Sequence, residues 1–289
     1  MSMTVSVVVP VWNRGPQVRS TLDSALGQTR APLEVVVVDD GSTDGTPDWI
    51  ELHYGERVRL IRGRNGGVAR ARNRGWREAK GEWIAFLDHD DEFHLDKLER
   101  LAPFLKGREG VVVSRWREIE DGQTERESPI VAPGDAFNWL FGWNNPLVSM
   151  SVPLVRRDWL EQLGGFDARC VPADDLDLWL RLARRTPFSF CNAVLTDYSL
   201  HAGQQRRNEA KMFRAMRRTL GKHPLALAQR PALLWWFAWS GAFVPSLPAY
   251  ERFKSGETNV WREALRAHPL SLASPQWLAA LGKRVLHNG

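Results

Sequence analysis

The stretch Trp83-Ile84-Ala85-Phe86-Leu87-Asp88-His89-Asp90-Asp91 decides how this chain is read, because five apolar residues run without a break into a cluster of acids. A strand that is apolar on both faces fits a parallel sheet covered by helices on both sides. Val35-Val36-Val37-Val38, followed by Asp39-Asp40-Gly41-Ser42-Thr43-Asp44, repeats the arrangement. In open α/β sheets ligands bind outside the carboxyl ends of the strands, so both acidic clusters fall where a site is expected.

Working outward, short β-branched runs alternate with amphipathic stretches, the pattern of strands joined by crossover helices. The expected strands are Val5–Val9, Glu34–Asp39, Val58–Arg62, Trp83–Asp88 and Gly110–Ser114, and the expected helices Gln17–Gln28, Thr46–Tyr54, Gly67–Ala79 and Leu95–Leu105. The alternation breaks beyond Arg115. There Gly164-Gly165-Phe166-Asp167 reads as a turn, with a helix near Asp174–Arg184 and a strand near Phe188–Thr196. The chain is therefore divided into a ligand-binding half over 1–115, a second half of the same domain over 116–222, and a tail over 223–289.

Composition narrows the class. With 289 residues, 43% hydrophobic and 25% charged, the chain can bury a full core and reads as a soluble globular protein. Cys170 and Cys191 are the only cysteines, too few for a disulfide framework, which predicts a reducing compartment. Residues 1–10 lack the basic start of a signal peptide, and the longest apolar stretch, Ala232 to Val244, is short of the ~20 residues that span a bilayer. A cytoplasmic protein is expected. Charge is uneven: residues 202–289 hold 14 Lys and Arg against 4 Asp and Glu. With Trp235, Trp236, Phe237 and Trp239 nearby, the tail suits peripheral contact with anionic lipid on the inner face of a membrane. A tail that folds back over its own sheet explains the same residues.

Several residues could carry chemistry. Carboxylates crowded at Asp88, Asp90 and Asp91 repel one another unless a cation holds them, and a hard divalent ion such as Mg2+ or Mn2+ would bring substrate phosphates with it. The same acids could simply cap the following helix. Asp39-Asp40-Gly41-Ser42 could hold a base or ribose, or form a plain turn. Asn65-Gly66-Gly67 followed by Arg70 and Arg72 offers a glycine loop, a helix start and two cations, a candidate diphosphate cradle. Asp174 and Asp175 open a helix, where the dipole alone also favours acids. His201 follows a strand and could be a metal or phosphate ligand.

Taken in order, these segments resemble the family 2 glycosyltransferases of the nucleotide-diphospho-sugar transferase, or GT-A, fold. The resemblance rests on Val5-Ser6-Val7-Val8-Val9-Pro10-Val11-Trp12-Asn13-Arg14, Gln28-Thr29, the Asp39 to Asp44 run, Asn65-Gly66-Gly67 and Ala71-Arg72-Asn73-Arg74-Gly75. It continues through Gly81 to Asp88, Gly164 to Asp167 and the Asp174 to Arg181 helix, covering about residues 4–203. It implies a Rossmann-like, mainly parallel sheet flanked by helices, with an acceptor-side subdomain and a helical C-terminal tail.

By that resemblance the nucleotide is held by Pro10, Trp12, Asn13, Asp40, Asn65, Arg72 and Asp88, with Asp40 at the base and Asp88 near the ribose. Asp90 is the expected metal ligand, with His201 as a second. The family's Glu-Asp acceptor motif reads Asp174-Asp175 here, which points to Asp175 as the catalytic base. A Tyr-Arg-x-His pattern appears as Tyr198-Ser199-Leu200-His201, without its Arg. The implied reaction moves a sugar from a nucleotide diphosphate, UDP being the commoner carrier, to a glycan, lipid-linked or other hydroxyl with inversion, in cell-surface polysaccharide or glycoconjugate synthesis. Gln204-Gln205-Arg206-Arg207 does not fit the Gln-x-x-Arg-Trp motif of processive members, so single addition is expected.

The rival readings are weaker. An inactive sugar-nucleotide-binding or membrane-docked scaffold has no need to retain every motif acid. A nucleotidyltransferase would want a Gly-rich loop after the first strand, where Pro10-Val11-Trp12-Asn13 stands. No nucleic-acid partner is expected, since the basic excess lies in a tail without a reading module.

Overall fold

A computed structural model describes residues 3–120, 122–129, 135–141, 147–200 and 209–229. The chain divides into two units: Met1–Ala168 with Asp174–Gln204, and Arg169–Ala173 with Gln205–Gly289.

The first unit is built on one nine-stranded sheet. Its strands are β1 (Val5–Val11), β2 (Glu34–Asp39), β3 (Arg59–Arg62), β4 (Trp83–Phe86), β5 (Glu92–Phe93), β6 (Val111–Glu120), β7 (Gln123–Glu127), β8 (Leu154–Arg156) and β9 (Phe188–Ser199). Its helices are α1 (Arg19–Leu26), α2 (Thr46–Tyr54), α3 (Val68–Glu78), α4 (Lys97–Leu101), α5 (Ala136–Leu140), α6 (Arg157–Leu163) and α7 (Asp174–Ala183).

The strands lie in the order β3-β2-β1-β4-β8-β6-β9-β5, with β7 paired to β6. The first four are parallel: Val7 faces Val35 on one side of β1 and Ala85 on the other. That explains why β1, β2 and β4 carry no polar alternation, since nearly every residue in them is buried. β8 runs antiparallel to both β4 and β6, whereas β6 and β9 are parallel.

The sequence expectations for β2 and α2 match their observed bounds, and the helix expected over Leu95–Leu105 is α4 followed by a 3-10 segment at Ala102–Lys106. Two strands run on past their apolar cores. The strand expected to end at Ser114 continues to Glu120 by alternating buried and partly exposed residues, with Glu118 held by Arg126 from β7. The strand expected to stop at Thr196 continues to Ser199.

α3 approaches the sheet closely at Gly75, where a Cβ would stand 2.3 Å from Val8 Cγ1. A glycine permits that approach. At its other face, the Asn73 side chain donates to Phe166 O (2.8 Å) and accepts from Phe166 N (2.9 Å). Gly165, at φ +74, sits so close that a Cβ would fall 2.2 Å from Asn73 Oδ1. Arg181 of α7 grips the same turn from the other direction, donating to Leu163 O and Gly165 O. The Gly164-Gly165-Phe166-Asp167 turn is thus a clasp between α3 and α7.

In the second unit, α8 (Glu209–Gly221) and α9 (Pro224–Ala228) are the described helices, and Arg218 donates to Arg169 O. The tail from 230, including Trp235 to Trp239, lies outside the described residues, as does His201. No helix among the described residues is long and apolar enough to cross a membrane.

Candidate active site

The carboxyl ends of β1, β2 and β4 deliver the first set of side chains. β1 ends in a turn where Pro10 is buried and Trp12 is 52% exposed. Asn13 takes φ +51 and fixes the turn to the next strand: its N–H donates to Ser42 Oγ, and its Oδ1 accepts from Thr43 N (2.8 Å). At the end of β2, Asp40 is buried and its two carboxylate oxygens accept separately from Gly66 N (2.8 Å) and Gly67 N (2.7 Å). Asp40 therefore shapes the Asn65-Gly66-Gly67 loop. Gly41 lies so near that a Cβ would meet Asn65 N at 2.5 Å.

Past β4, the acids turn in different directions. Asp88 has its side chain partly exposed and accepts from Arg72 Nη2 at 2.6 Å. Asp90 is also partly exposed, with His89 Nδ1 3.3 Å away. Asp91 points inward and is fully buried, accepting from Ser149 Oγ and Ser151 Oγ (2.6 Å each) and from Ser199 N (3.1 Å). The expected cluster of three carboxylates is therefore corrected to two, because Asp91 supports the turn from beneath. Burial and the charges of Asp90 and Asp88 hold the Asp91 carboxyl well above the usual carboxylate range.

Arg72 does not stand beside Arg70 as a second exposed cation. It is buried, and its guanidinium joins Asp88 to Asp174 (Nη1 to Oδ2, 3.1 Å) across 102 positions of sequence. The ring of Phe166 lies 5.6 Å from its Cζ and packs edge-on against Phe86. Burial works against the charge of Arg72, but Asp88 and Asp174 outweigh it and raise its pKa. One guanidinium thus connects the end of β4 to the start of α7.

Asp174 and Asp175 are adjacent and differ in environment. Asp174 is buried against Arg72; burial raises its pKa and the Arg72 charge opposes the rise. Asp175 is half-buried, accepts from Leu176 N at 2.6 Å, and forms no ion pair among the described residues. Burial, and after it the charge of Asp174, pushes the Asp175 carboxyl up to about 7. A carboxylate poised there can take a proton near neutral pH.

Among the described residues no group of three or more His, Cys, Asp or Glu side chains could hold a metal alone. Mg2+ and similar ions are commonly held by one or two carboxylates plus substrate phosphates, and the partly exposed Asp88 and Asp90 fit that donor set.

The chain is similar to known proteins in sequence and in fold. The model of "Glycosyl transferase family 2" matches residues 6–164. An uncharacterized glycosyltransferase of Rickettsia prowazekii is 31% identical over 211 residues, covering 70% of this chain and 66% of that protein. The hyaluronan synthase of Pasteurella multocida is 32% identical over 206 residues, 68% of this chain and 20% of that one. The chain spans about a fifth to two thirds of the length of the curated relatives it matches. Among solved structures, S. aureus TarS in complex with UDP-GlcNAc aligns with a TM-score of 0.63 at 21% identity, over 97% of this chain and 80% of that one. The mannosyltransferase PcManGT of Pyrobaculum calidifontis, in complex with GDP-Man and Mn2+, aligns at 0.59 and 22%, over all of this chain and 89% of that one. The sheet and its flanking helices are those of a GT-A glycosyltransferase. The chain belongs to glycosyltransferase family 2.

Two features of the candidate site escaped sequence reasoning. The commitment of Arg72 to two acids had no local signal, since an Arg on a basic helix reads as solvated. The serines that hold Asp91 lie about 60 positions away and form no motif.

Proposed function

We propose that this glycosyltransferase moves a sugar from a nucleotide diphosphate, UDP in the first instance, to an acceptor hydroxyl with inversion, Asp175 acting as base. The observation that carries the reading is the Asp88–Arg72–Asp174 bridge, which sets the base's helix against the acids at the end of β4. The nucleotide lies over Trp12, Asn13, Asp40 and Asn65, near Pro10, with the ribose toward Asp88. Relatives that include a hyaluronan synthase and a chondroitin synthase support an acceptor in polysaccharide or glycoconjugate synthesis. Cytoplasmic action, the split into 1–115, 116–222 and 223–289, and lipid contact by the tail belong to the same reading.

In the transfer, the acceptor oxygen forms a bond to the anomeric carbon from the face opposite the diphosphate. Its proton passes to an Asp175 oxygen, and the anomeric C–O bond breaks with its electron pair remaining on the diphosphate. Asp174, held beside Arg72, raises the basicity of its neighbour. Asp90 would hold Mn2+ or Mg2+, with His201 as a second ligand, and the ion supplies charge neutralisation at the leaving diphosphate.

A screen of nucleotide sugars for thermal stabilisation with and without Mn2+ tests the reading. A ligand at 100 times its Kd stabilises by about 2.7 kcal/mol, enough to register clearly. A chain that no nucleotide sugar stabilises, with or without Mn2+, would contradict it.

A further inference from the structure

Beneath the acidic turn lies a buried polar network that the transfer chemistry does not use. Lys97, at the start of α4, is fully buried, and its Nζ donates to Ser151 O (2.5 Å), Val152 O (3.1 Å) and Thr196 Oγ1 (2.6 Å). The ammonium also sits 4.0 Å from the Phe93 ring centroid. Three acceptors from two segments therefore converge on one cation, pinning the Ser149–Val152 backbone to β9.

That backbone carries the group that reaches the turn. Ser151 Oγ donates to Asp91 Oδ2 (2.6 Å) and accepts from Asp88 N (2.9 Å). One hydroxyl thus holds the first and last residues of the Asp88-His89-Asp90-Asp91 turn. Ser149 Oγ and Ser199 N complete the shell around Asp91, and Thr21 Oγ1 donates to Asp91 O (2.9 Å). Every named polar group in this shell is buried or part-buried, so its hydrogen bonds are costly to break.

We propose that Ser151 is a positioning residue for donor and metal binding: its hydroxyl, on a backbone fixed by Lys97, sets the distance and direction of Asp88 and Asp90. The proposal rests on the donor-side reading above. Outer-shell partners of this kind typically change metal affinity by about ten- to hundred-fold when removed.

The test compares Ser151→Ala with Ser114→Ala. Ser114 is a control that is also buried and whose hydroxyl donates to Val152 O at 3.4 Å rather than to the acidic turn. Amide hydrogen exchange is measured over residues 87–93, and titration calorimetry follows UDP in the presence of Mn2+. Ser151→Ala is expected to exchange faster at Asp88 and to bind UDP with Mn2+ about ten- to hundred-fold more weakly, while Ser114→Ala matches the wild type in both. Ser151→Cys, which keeps the shape but is a weaker partner, should fall between and serves if the alanine variant does not fold. Wild-type exchange and affinity in Ser151→Ala would overturn the proposal and leave the donor site standing. A wild-type protein that binds no nucleotide diphosphate, with exchange unchanged in the variant, would overturn both.

Discussion

Lowering the pH should silence this enzyme through one carboxyl. Asp175 is pushed up to about 7, first by burial and then by Asp174. With Asp175 as the base, half of the molecules should hold it ionised at pH 7 and the ionised fraction should fall about tenfold for each unit below, so kcat/KM at pH 5 should be about 100-fold under its plateau. An ordinary aspartate near 3.9 would show almost no loss over that range. Asp174→Asn removes the second cause of the shift, so the acid limb should move to lower pH while turnover survives. Asp175→Asn keeps the shape without the basicity, should cost ~10²- to 10⁴-fold in kcat, and should flatten the limb. The assay is release of nucleoside diphosphate at saturating metal between pH 5 and 9. Because adjacent carboxyls titrate as a pair, the midpoint belongs to both, and its displacement in Asp174→Asn is the decisive quantity. A wild-type profile that stays flat down to pH 5, or full activity in Asp175→Asn, would refute the assignment.

Further outcomes follow from the same geometry. Since the folded-state pKa of Asp175 is raised, its contribution to stability is full below about 4 and lost as pH rises through about 7. The wild type should therefore lose stability relative to Asp175→Asn across that window, read from urea midpoints at each pH. Asp90→Asn should abolish metal-dependent donor binding with the melting temperature of the free protein unchanged; full activity of that variant in chelator would end the metal assignment. Arg72→Met leaves Asp88 and Asp174 without their cation and should cost about 3–5 kcal/mol in urea unfolding. Gly75→Ala drives a methyl into Val8 and should lose about 1–3 kcal/mol by the same measurement, although alanine favours helix.

How far the sequence could be read depended on whether the deciding contact was local. β2 and α2 were legible to the residue, because a run of four valines and a Thr-Pro helix start are signals contained in the segment itself. The positions of the acids at strand ends were equally legible. The orientation of each acid was not: three aspartates within four positions read as one cluster, yet the turn aims Asp91 at serines about 60 positions away. β6 was cut short for a related reason. Its second half is held by cross-strand ion pairs with β7, and charged residues at alternate positions look like loop until their partners are known.

The clasp made by Asn73, the Gly164-to-Asp167 turn and Arg181 bears on motion. It is hydrogen-bonded from both helices, and Gly165 leaves no room between them. α3, which supplies Arg72, and α7, which supplies Asp175, are therefore tied to each other through one turn. On the proposed reading, an opening that admits an acceptor hinges elsewhere, and the spacing between Asp175 and the diphosphate is inherited from the architecture before any substrate arrives.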